Sequence, residues 1–452
     1  MMKSKIKFLN HSSLIVKSDK TSIICDPWFT GNIFNKGWRL VYDKSHSINK
    51  LKYDYIWISH EHPDHFNIRT LKNLKRKKFL YQSTKDKKVL NFLKKNNNKV
   101  NELEDAKTYK FGNIEITNFI CDGYDCASLF YFENGSVFLN VNDAKLEINN
   151  ITNKISNKLK KDNKKIDLLS IQFSYANWAG NIGDKKIPLI QQNSVLERIY
   201  NIHKVIEPCQ VMLFASFIYL SNSENFYWNE YNWLEYTLKN LKKKKINFIL
   251  PHPNQEIDLL NINKEKNKIN NSKSLNFWKL QYSKIKIKDF AENNITLDDI
   301  NIAYNVFYKL LWSKNSKKLF INNKNQNFSL KIKLSENNKC IELFLFRKEL
   351  KVHEKDFVYD ISLTSENLLF LLKYNYGRGT ILINSCIQFN YELAIKFFIF
   401  FYIYYKNNLG IFYKKNFNKK EFLSIKSNSV FSSIYNNNAN TRKNYRRYIN
   451  FF

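Results

Sequence analysis

The sequence predicts a mixed α/β protein, in which a second, smaller α+β unit follows the first. Up to residue 258, short apolar segments rich in β-branched and aromatic residues alternate with segments of helical periodicity. Hydrophobic residues make up 44% and aromatic residues 16% of the 452 positions, which allows more than one large core and excludes a chain disordered throughout. Residues 258–300 are polar and rich in Lys and Asn, which indicates a domain boundary.

The first unit is predicted to begin with strands, because apolar runs are bounded by turn residues. In order they are KIKFLN (5–10), SLIVKS (13–18), TSIICDP (21–27) and YDYIWIS (53–59). Two helices with lysine-covered outer faces are predicted next, IRTLKNLKRKK (68–78) and KDKKVLNFLKKN (85–96). Later strands are predicted at IEITNFI (114–120), SLFYFENG (128–135), SVFLNVND (136–143), DLLSIQFS (167–174) and KINFILP (245–251), and helices at 186–206 and 229–243.

The chain is predicted to divide into four parts. They are a first domain at 1–258, a helical linker at 259–325, a small α+β domain at 326–412 and a basic, Asn-rich, loosely attached tail at 413–452. Strands of the small domain are predicted at FSLKIKLS (328–335), CIELFLFR (340–347), FVYDISLT (357–364) and GTILINS (379–385), followed by a helix at 390–406.

The amino-acid composition limits the nucleic-acid and membrane interactions that are expected of the protein. The net charge of +33 comes mostly from lysine in a chain also rich in Asn, Ile and Phe, which favours a compositional bias over a nucleic-acid function. The apolar run FFIFFYIYY (397–405) is too short to cross a bilayer, so no integral membrane segment is expected. The N-terminus lacks a signal-peptide pattern, and the six cysteines form no CxxC pair, so a reduced, cytoplasmic protein is expected.

A cluster of histidines follows the YDYIWIS strand. Three of the eight histidines lie in His60-Glu61-His62-Pro63-Asp64-His65. In a loop leaving a strand, His60 and His62 can face one ion, while Asp64 and His65 face a second. Imidazole and carboxylate ligands suit Zn²⁺ or Fe²⁺, and two such ions can share a hydroxide of lowered pKa. The alternative is a polar surface loop without a metal.

The HEHPDH motif resembles the signature of the metallo-β-lactamase fold. Further segments resemble a branch of that family, which contains ascorbate-6-phosphate lactonase, N-acyl-phosphatidylethanolamine phospholipase D and, most similar, the metallohydrolase-like part of CMP-N-acetylneuraminate hydroxylase. Those segments are NHSSLIV (10–16), ICDPWFTG (24–31), IQFSYANWAG (171–180), LFASFIYL (213–220), ENFYWNE (224–230) and residues 360–384. The resemblance implies a four-layer αβ/βα sandwich with two divalent metal ions at one edge of its sheets.

The resemblance also implies further ligands at the ends of later strands. Asp143 is the expected bridging ligand, with a turn or helix cap as its alternative role. His252 is the expected last ligand, with an ordinary loop histidine as its alternative, and His203 is expected to be structural. No histidine lies between His65 and His203, so the family's third histidine is missing.

Asp125 is the expected replacement for the missing histidine, and Asp122, Tyr124 and Cys126 are weaker candidates. An oxygen ligand would shift the metal preference from zinc toward iron or manganese. Alternatively, one metal alone binds and activity is altered or lost.

Residues near the motif have less specific expectations. His11 and Asp26 are expected either to hydrogen-bond to metal ligands or to fill core and turn positions. Aromatic residues are expected to line a substrate cleft or, as is more usual, to belong to the core; they are Trp28, Trp178, Trp228 and Tyr175.

The leading functional hypothesis is a metal-dependent hydrolase. A metal-bound hydroxide held by Asp64 and Asp143 would attack a phosphoryl, lactone or acyl centre, in sugar or surface-polysaccharide metabolism. The ions are expected to be Zn, with Fe or Mn as alternatives, and the substrate a small molecule such as a nucleotide-activated or complex sugar. Two alternatives remain: an iron-dependent oxygenase, which lacks the Cys-x-His and Cys-x-x-His ligands of a Rieske domain, and a non-catalytic binding module.

Overall fold

The computed structural model describes residues 3–43, 48–72, 74–84, 86–121, 125–231, 233–262, 264–288, 294–337, 339–353 and 358–450. The strands of the N-terminal part are β1 (Ser4–Asn10), β2 (Ser13–Ser18), β3 (Ser22–Cys25), β4 (Trp38–Leu40), β5 (Tyr55–Ile58), β6 (Lys78–Gln82), β7 (Lys99–Leu103), β8 (Thr108–Phe111), β9 (Ile114–Cys121), β10 (Asp125–Phe132), β11 (Val137–Asn142), β12 (Leu168–Gln172), β13 (Gln210–Phe214), β14 (Ile218–Leu220), β15 (Phe248–Ile249) and β16 (Glu256–Asp258). Its helices are α1 (Ile68–Leu71), α2 (Lys88–Lys95), α3 (Ile151–Lys161), α4 (Lys186–Ile206), α5 (Trp233–Lys243) and α6 (Lys264–Tyr282).

Two seven-stranded sheets form the centre of this part. The first has the order β16-β1-β2-β3-β5-β6-β7 and the second the order β15-β13-β12-β11-β10-β9-β8. The strands β3, β5, β6 and β7 are parallel in the first sheet, as are β11, β12, β13 and β15 in the second. The strands β4 and β14 pair separately.

The two sheets enclose one core, and helices cover their outer faces. Trp57 of β5 and Phe138 of β11 belong to the core between the sheets, while Ile56 and Ile58 of β5 pack on the other face of the first sheet, beneath helices α1 and α2. This alternation follows the period of two that a strand imposes on its side chains. The arrangement confirms the predicted four-layer αβ/βα sandwich.

The C-terminal part has its own five-stranded sheet and core. Its strands are β17 (Ser329–Leu334), β18 (Cys340–Phe344), β19 (Leu350–His353), β20 (Ile361–Leu363) and β21 (Gln388–Phe389), in the order β19-β18-β17-β20-β21. Its helices are α7 (Leu297–Lys314), α8 (Ser365–Lys373), α9 (Gly377–Asn384), α10 (Ile395–Phe400), α11 (Tyr402–Asn408), α12 (Ser429–Asn437) and α13 (Ala439–Ile449). Short 3₁₀ helices lie at Ile48–Lys50, Ile148–Asn150, Phe226–Glu230, Lys317–Leu319 and Lys419–Ser427.

The segment predicted as a linker is divided between the two cores. Trp278 of α6 is fully buried in the first core, and Ile300 and Phe307 of α7 are buried in the second. The change from one core to the other therefore falls between α6 and α7. The exact domain boundaries stay predictions.

Three local expectations differ from the structure. The helix expected at 68–78 ends at Leu71, and its last residue, Lys78, begins strand β6. GTILINS, expected to be a strand, lies in helix α9, because a short buried apolar run has no periodicity that separates a strand from a helix. Residues 419–449 are helical, with Phe422 and Phe431 fully buried in the second core, so the expectation of a loosely attached tail is wrong.

The run at 397–405 forms parts of α10 and α11, which are largely buried. Among the helices of the described residues, none combines the length and apolar character needed to cross a bilayer.

Candidate metal centre

The histidine-rich loop follows β5, and the ends of other strands bring further ligands to it. Asp143 follows the last residue of β11, and Asp125 begins β10. His11 lies in the tight turn between β1 and β2. Residues from several parts of the sequence therefore meet at one edge of the two sheets.

His60, His62 and Asp125 form the first group of ligand atoms, which all lie within 4.8 Å of one another. The His60 Nε2 atom is 2.8 Å from His62 Nδ1 and 3.8 Å from Asp125 Oδ1. Two imidazoles thus converge with the carboxylate of Asp125, the residue expected in place of the missing histidine.

His11, Asp64 and His65 form the second group, also within 4.8 Å of one another. The Asp64 Oδ2 atom is 3.4 Å from His11 Nε2 and 3.2 Å from His65 Nε2. All three side chains are buried. This group again combines two imidazoles with one carboxylate.

Asp143 lies between the two groups. Its Oδ2 atom is 3.7 Å from His60 Nε2 and its Oδ1 atom is 3.6 Å from His65 Nε2. One carboxylate therefore faces a histidine of each group, which is the placement of a ligand shared by two ions.

Several buried polar atoms of these residues have no hydrogen-bond partner, which bears on whether the residues bind a metal. His65 Nε2, Asp64 Oδ1 and Asp143 Oδ1 are buried and have no hydrogen-bond partner. Buried polar atoms are seldom left unpaired, because each costs free energy unless it is satisfied. Nitrogen and oxygen donors of this kind bind Zn²⁺, Fe²⁺ or Mn²⁺, so the donor set fits divalent ions.

Asp26 contacts the ring of His65, one of the expected ligands, and fixes its orientation. Its Oδ2 atom is 2.9 Å from His65 Nδ1, and it accepts hydrogen bonds from Ser59 Oγ at 2.7 Å and Asn142 Nδ2 at 3.2 Å. Its Oδ1 atom accepts from the Ser59 amide at 2.8 Å. A carboxylate acceptor at Nδ1 favours the tautomer with the proton on Nδ1, which leaves the Nε2 lone pair of His65 free to bind a metal.

Electrostatics couples the histidines to the carboxylates. Burial lowers the pKa of His60 and His11, in spite of the nearby Asp143 and Asp64 carboxylates, respectively. Burial would also lower the pKa of His65, but the charges of Asp64, Asp143 and Asp26 outweigh it and raise that pKa well above its usual value. The carboxylates around His65 thus favour a positive charge at this position.

The backbone near the centre is locally strained. His11, Asp26 and Asn142 have φ values of 37°, 42° and 55°, in the left-handed region that non-glycine residues seldom adopt. Such conformations cost about 1–3 kcal/mol each and are concentrated at functional sites. Here they allow side chains at strand ends to turn toward the same point.

Six of the seven expected ligands come together: His60, His62, Asp64, His65, Asp125 and Asp143. His252 joins neither of these two groups, nor the third set of close ligand atoms found among the described residues, which is formed by His60, His65 and Asp143. Its Nδ1 atom is 2.9 Å from Ser274 Oγ, and its ring packs against Phe277, because the loop after β15 meets helix α6 there. The geometry thus favours the alternative role of an ordinary loop histidine.

The other candidates have simpler surroundings. Cys126 is buried and donates to the Ser59 carbonyl at 3.1 Å, and His203 lies in α4, outside the ligand groups. Asp122 and Tyr124 lie outside the described residues.

Core positions account for most of the aromatic candidates. Trp28, Trp178 and Trp228 are buried in the hydrophobic clusters, while Tyr175 is partly buried and accepts from Trp233 Nε1 at 3.1 Å. Trp28 also packs edge-on against His11, with 5.4 Å between ring centroids. The structure thus favours the core interpretation over a cleft lining.

Two residues at the centre have roles that the sequence did not predict. His11 was expected at most to contact a metal ligand, but its Nε2 lies among the ligand atoms. Arg198 was not predicted at all, yet its guanidinium contacts Asp143 and Gln172. A turn histidine between two strands was a detectable signal for His11, whereas an arginine within a helix offers none.

Comparisons with known proteins give a family for the first part of the chain and, in addition, partial similarities to individual proteins. Residues 5–172 match the family model described as the beta-lactamase superfamily domain. Segments of about 75 residues match cytidine monophosphate-N-acetylneuraminic acid hydroxylases, with 31% identity over 75 residues for that of Danio rerio and 36% over 76 for that of Mus musculus. Each match covers 16% of this chain and only 13% of the relative.

Similar solved structures include enzymes of different reactions. CmlA, a diiron β-hydroxylase from Streptomyces venezuelae, aligns with a TM-score of 0.41 and 14% identity over 57% of this chain and 54% of its own. The isothiocyanate hydrolase from Delia radicum gut bacteria aligns with a TM-score of 0.40 and 11% identity over 56% and 98%. YhfI from Bacillus subtilis, a metallo-beta-lactamase fold protein, aligns with a TM-score of 0.36 and 12% identity over 57% and 100%.

Proposed function

Residues 5–172 form a domain of the beta-lactamase superfamily with the metallo-β-lactamase fold, and from that premise we propose that the protein is a dimetal hydrolase. Its substrate is a small molecule with a phosphoryl, lactone or acyl centre, for which a nucleotide-activated or complex sugar is our preferred class.

The observation that carries this proposal is the position of Asp143 between the two ligand groups. Its two carboxylate oxygens face His60 and His65 at 3.7 and 3.6 Å. A bridging carboxylate holds two ions close together, and paired ions suit a displacement at a phosphoryl or carbonyl centre.

The ligands divide into two sets in this proposal. His60, His62 and Asp125 would hold one ion. His11, Asp64 and His65 would hold the other, with His11 in place of His252. Asp143, which faces a histidine of each group, would be shared by the two sites.

Two divalent ions so held would supply a hydroxide nucleophile at neutral pH and polarise the group under attack. Asp64 Oδ1 and Asp143 Oδ1 have no hydrogen-bond partner, so these carboxylates would be the groups that accept a hydrogen bond from the nucleophile and orient it. Asp26 keeps the His65 ring in its ligand orientation through the 2.9 Å contact with Nδ1.

Metal analysis of matched variants tests the ligand sets. We expect about two ions per chain in the wild-type protein, about one in His11→Ala, and two in His252→Ala, which removes the same side chain from outside the ligand groups. Loss of a metal from His252→Ala with full occupancy in His11→Ala would contradict the assignment.

Turnover tests the reaction class separately. Generic phosphodiester and lactone substrates should be hydrolysed by the wild-type protein, and His62→Ala and Asp64→Ala should abolish both metal binding and hydrolysis. A variant that retains hydrolysis without bound metal would refute the proposed chemistry.

A second candidate function is an iron-dependent oxygenase. It is supported by the donor set, because each group contains two histidines and one carboxylate, a combination used by non-haem iron oxygenases. None of the six cysteines is followed by a histidine at a Rieske spacing, so electrons would come from a separate partner.

The identity of the bound metal separates the two candidates. Zinc or manganese favours the hydrolase, while iron with an optical absorption favours the oxygenase. Asp125→His restores the histidine expected at the first site and should shift metal preference toward zinc, because imidazole is the softer ligand. An unchanged preference would show that Asp125 is not a ligand.

A further inference from the structure

Arg198 places a cationic group beside the proposed metal centre. It lies within α4, which packs on the second sheet, and its side chain is partly buried. Its Nη2 atom donates to Gln172 Oε1 at 2.8 Å, and its Nη1 atom is 3.5 Å from the main-chain oxygen of Asp143. The guanidinium is thereby held at the ends of β11 and β12, next to the bridging carboxylate.

The hydrogen-bonding capacity of this guanidinium is only partly used. Both acceptors are neutral oxygen atoms, one from an amide and one from the main chain. The Nε atom is buried and has no hydrogen-bond partner. An arginine carries five N–H donors in a planar fork, so donors remain for a further acceptor.

The charge of the loaded centre favours an anion at this position. Two divalent ions would offset the four carboxylates of Asp26, Asp64, Asp125 and Asp143, and the Arg198 guanidinium adds one positive charge beside them. A guanidinium binds planar or tetrahedral oxyanions through paired hydrogen bonds that neither water nor a neutral group matches.

We propose that Arg198 forms an oxyanion subsite, which binds a phosphate or carboxylate group of the substrate next to the reacting centre. This inference rests on the proposed dimetal enzyme and narrows its substrate class to anionic molecules. The partly buried side chain, its link to Asp143 and its unpaired Nε are the observations that support it.

The competing role is purely structural, in which Arg198 holds the main chain of Asp143 in place. That role predicts that loss of the arginine lowers metal occupancy. The anion subsite predicts instead that metal occupancy is retained and that anion affinity falls.

Calorimetric titration of the metal-loaded protein distinguishes these roles. Inorganic phosphate and, separately, acetate are titrated into the wild type, Arg198→Met, Arg198→Lys and Lys204→Met, with metal content measured on each sample. Lys204→Met is the matched control, because it removes one positive charge from an exposed position in the last turn of the same helix.

We expect Arg198→Met to weaken binding of the preferred anion about tenfold or more, as loss of a charge-assisted hydrogen bond does. Arg198→Lys should have an intermediate affinity, since it keeps the charge but loses the fork, and Lys204→Met should lie within about twofold of the wild type. The anion that is more affected, phosphate or acetate, identifies the group that the subsite takes.

Other outcomes would show which of the two proposals is wrong, the oxyanion subsite or the dimetal enzyme. Full metal content with unchanged phosphate and acetate affinity in Arg198→Met would overturn the subsite alone. Reduced metal content in both Arg198 variants would assign the arginine to holding Asp143 and likewise overturn the subsite. A wild-type protein that binds no metal would overturn the dimetal enzyme itself.

Discussion

Asp26 shows how much of the candidate site depends on one residue outside the ligand set. The carboxylate is fully buried and accepts from the Ser59 hydroxyl and amide and from the Asn142 amide, and it lies 2.9 Å from His65 Nδ1. It thus ties the histidine loop to the ends of β3 and β11. A partner that fixes a ligand's tautomer changes metal affinity without touching the metal.

Replacement of Asp26 by Asn should therefore weaken metal binding by roughly 10–100-fold while the protein stays folded. The amide places an N–H group where the carboxylate has only acceptors, so the hydrogen bond from His65 Nδ1 and those from Ser59 cannot all be kept. Competition with a chelator measures the affinity. Asp167→Asn is the control: Asp167 Oδ2 accepts from the Val137 amide at 2.8 Å, at the start of β11 and away from the site. Equal affinities for both variants would rule out this role of Asp26.

The sequence predicted the site best where ligands are close together in the chain or end a strand. His60, His62, Asp64 and His65 lie in one loop, and Asp143 follows a clearly apolar strand. His11 and Arg198 could not be assigned in the same way. The distance from His11 to Asp64 results from the order of strands in the first sheet, and the distance from Arg198 to Asp143 from the packing of α4 on the second sheet. Likewise, His252 lies in the loop after a strand but faces Ser274, and only the packing of α6 shows this.

At the scale of elements, a half-buried glutamate joins the two parts of the chain. Glu224 lies between β14 and the 3₁₀ helix Phe226–Glu230, and its carboxylate accepts from Thr364 Oγ1 at 3.1 Å and Asn367 Nδ2 at 2.7 Å, at the start of α8. Ser335 donates to the same carboxylate at 3.2 Å. Burial raises the pKa of Glu224 to about 7, helped by the charge of Glu336 and opposed by these hydrogen bonds.

This raised pKa predicts a loss of stability as the pH rises. In the unfolded chain Glu224 loses its proton near its ordinary pKa of 4.5, whereas the folded protein keeps it to about 7. The contribution of Glu224 to the free energy of unfolding is thus fully present below pH 4.5. It decreases between pH 4.5 and about 7, by at most about 3 kcal/mol. Glu224→Gln should lack that decrease, so the difference in unfolding free energy between variant and wild type should grow from pH 4.5 to 7.

Denaturant unfolding at several pH values measures this difference. Glu230→Gln is the control, because this residue is exposed in the same segment and should follow the wild type at every pH. A Glu224→Gln curve parallel to that of the wild type would show that Glu224 ionises normally in the folded protein.

Elements were predicted reliably only where their pattern was distinctive. The apolar run of β-branched and aromatic residues in β5 and the lysine-faced pattern of α2 gave correct types, whereas GTILINS lies in a helix that packs under the β4–β14 pair. Trp38 Nε1 donates to the Ile383 carbonyl of this helix at 3.1 Å, and Asn225 Nδ2 donates to the Asn384 carbonyl at 2.6 Å. Tertiary contacts of this kind outweigh the strand preference of β-branched residues.

At the scale of the whole molecule, the two cores are connected rather than separate. Trp178 follows β12 of the first part, and its amide donates to the Leu382 carbonyl at 2.7 Å and its Nε1 to the Ile387 carbonyl at 3.0 Å. Its ring is buried in the second core. The loop that leaves the metal-site edge of the second sheet therefore anchors the C-terminal part.

The second core also includes the last residues of the described chain, which leads to a prediction about Phe431 of α12. Its ring is fully buried and packs against Phe398 and Tyr445, with ring centroids 5.1 and 5.7 Å apart. Phe431→Ala should lower the free energy of unfolding by about 3–5 kcal/mol, through lost apolar burial and the cavity left behind. Phe412→Ala removes the same side chain where it is 46% exposed, and should change stability by less than about 0.5 kcal/mol.

Denaturant midpoints of the two variants decide whether residues 413–452 are integral to the fold. A loosely attached tail would give both variants the stability of the wild type, and that result would contradict the packing of α12 on α10. Metal content serves as a second measurement, since the ligands belong to the first part of the chain. We expect Phe431→Ala to keep its metals at low denaturant, because the cavity lies in the second core, away from the ligand groups.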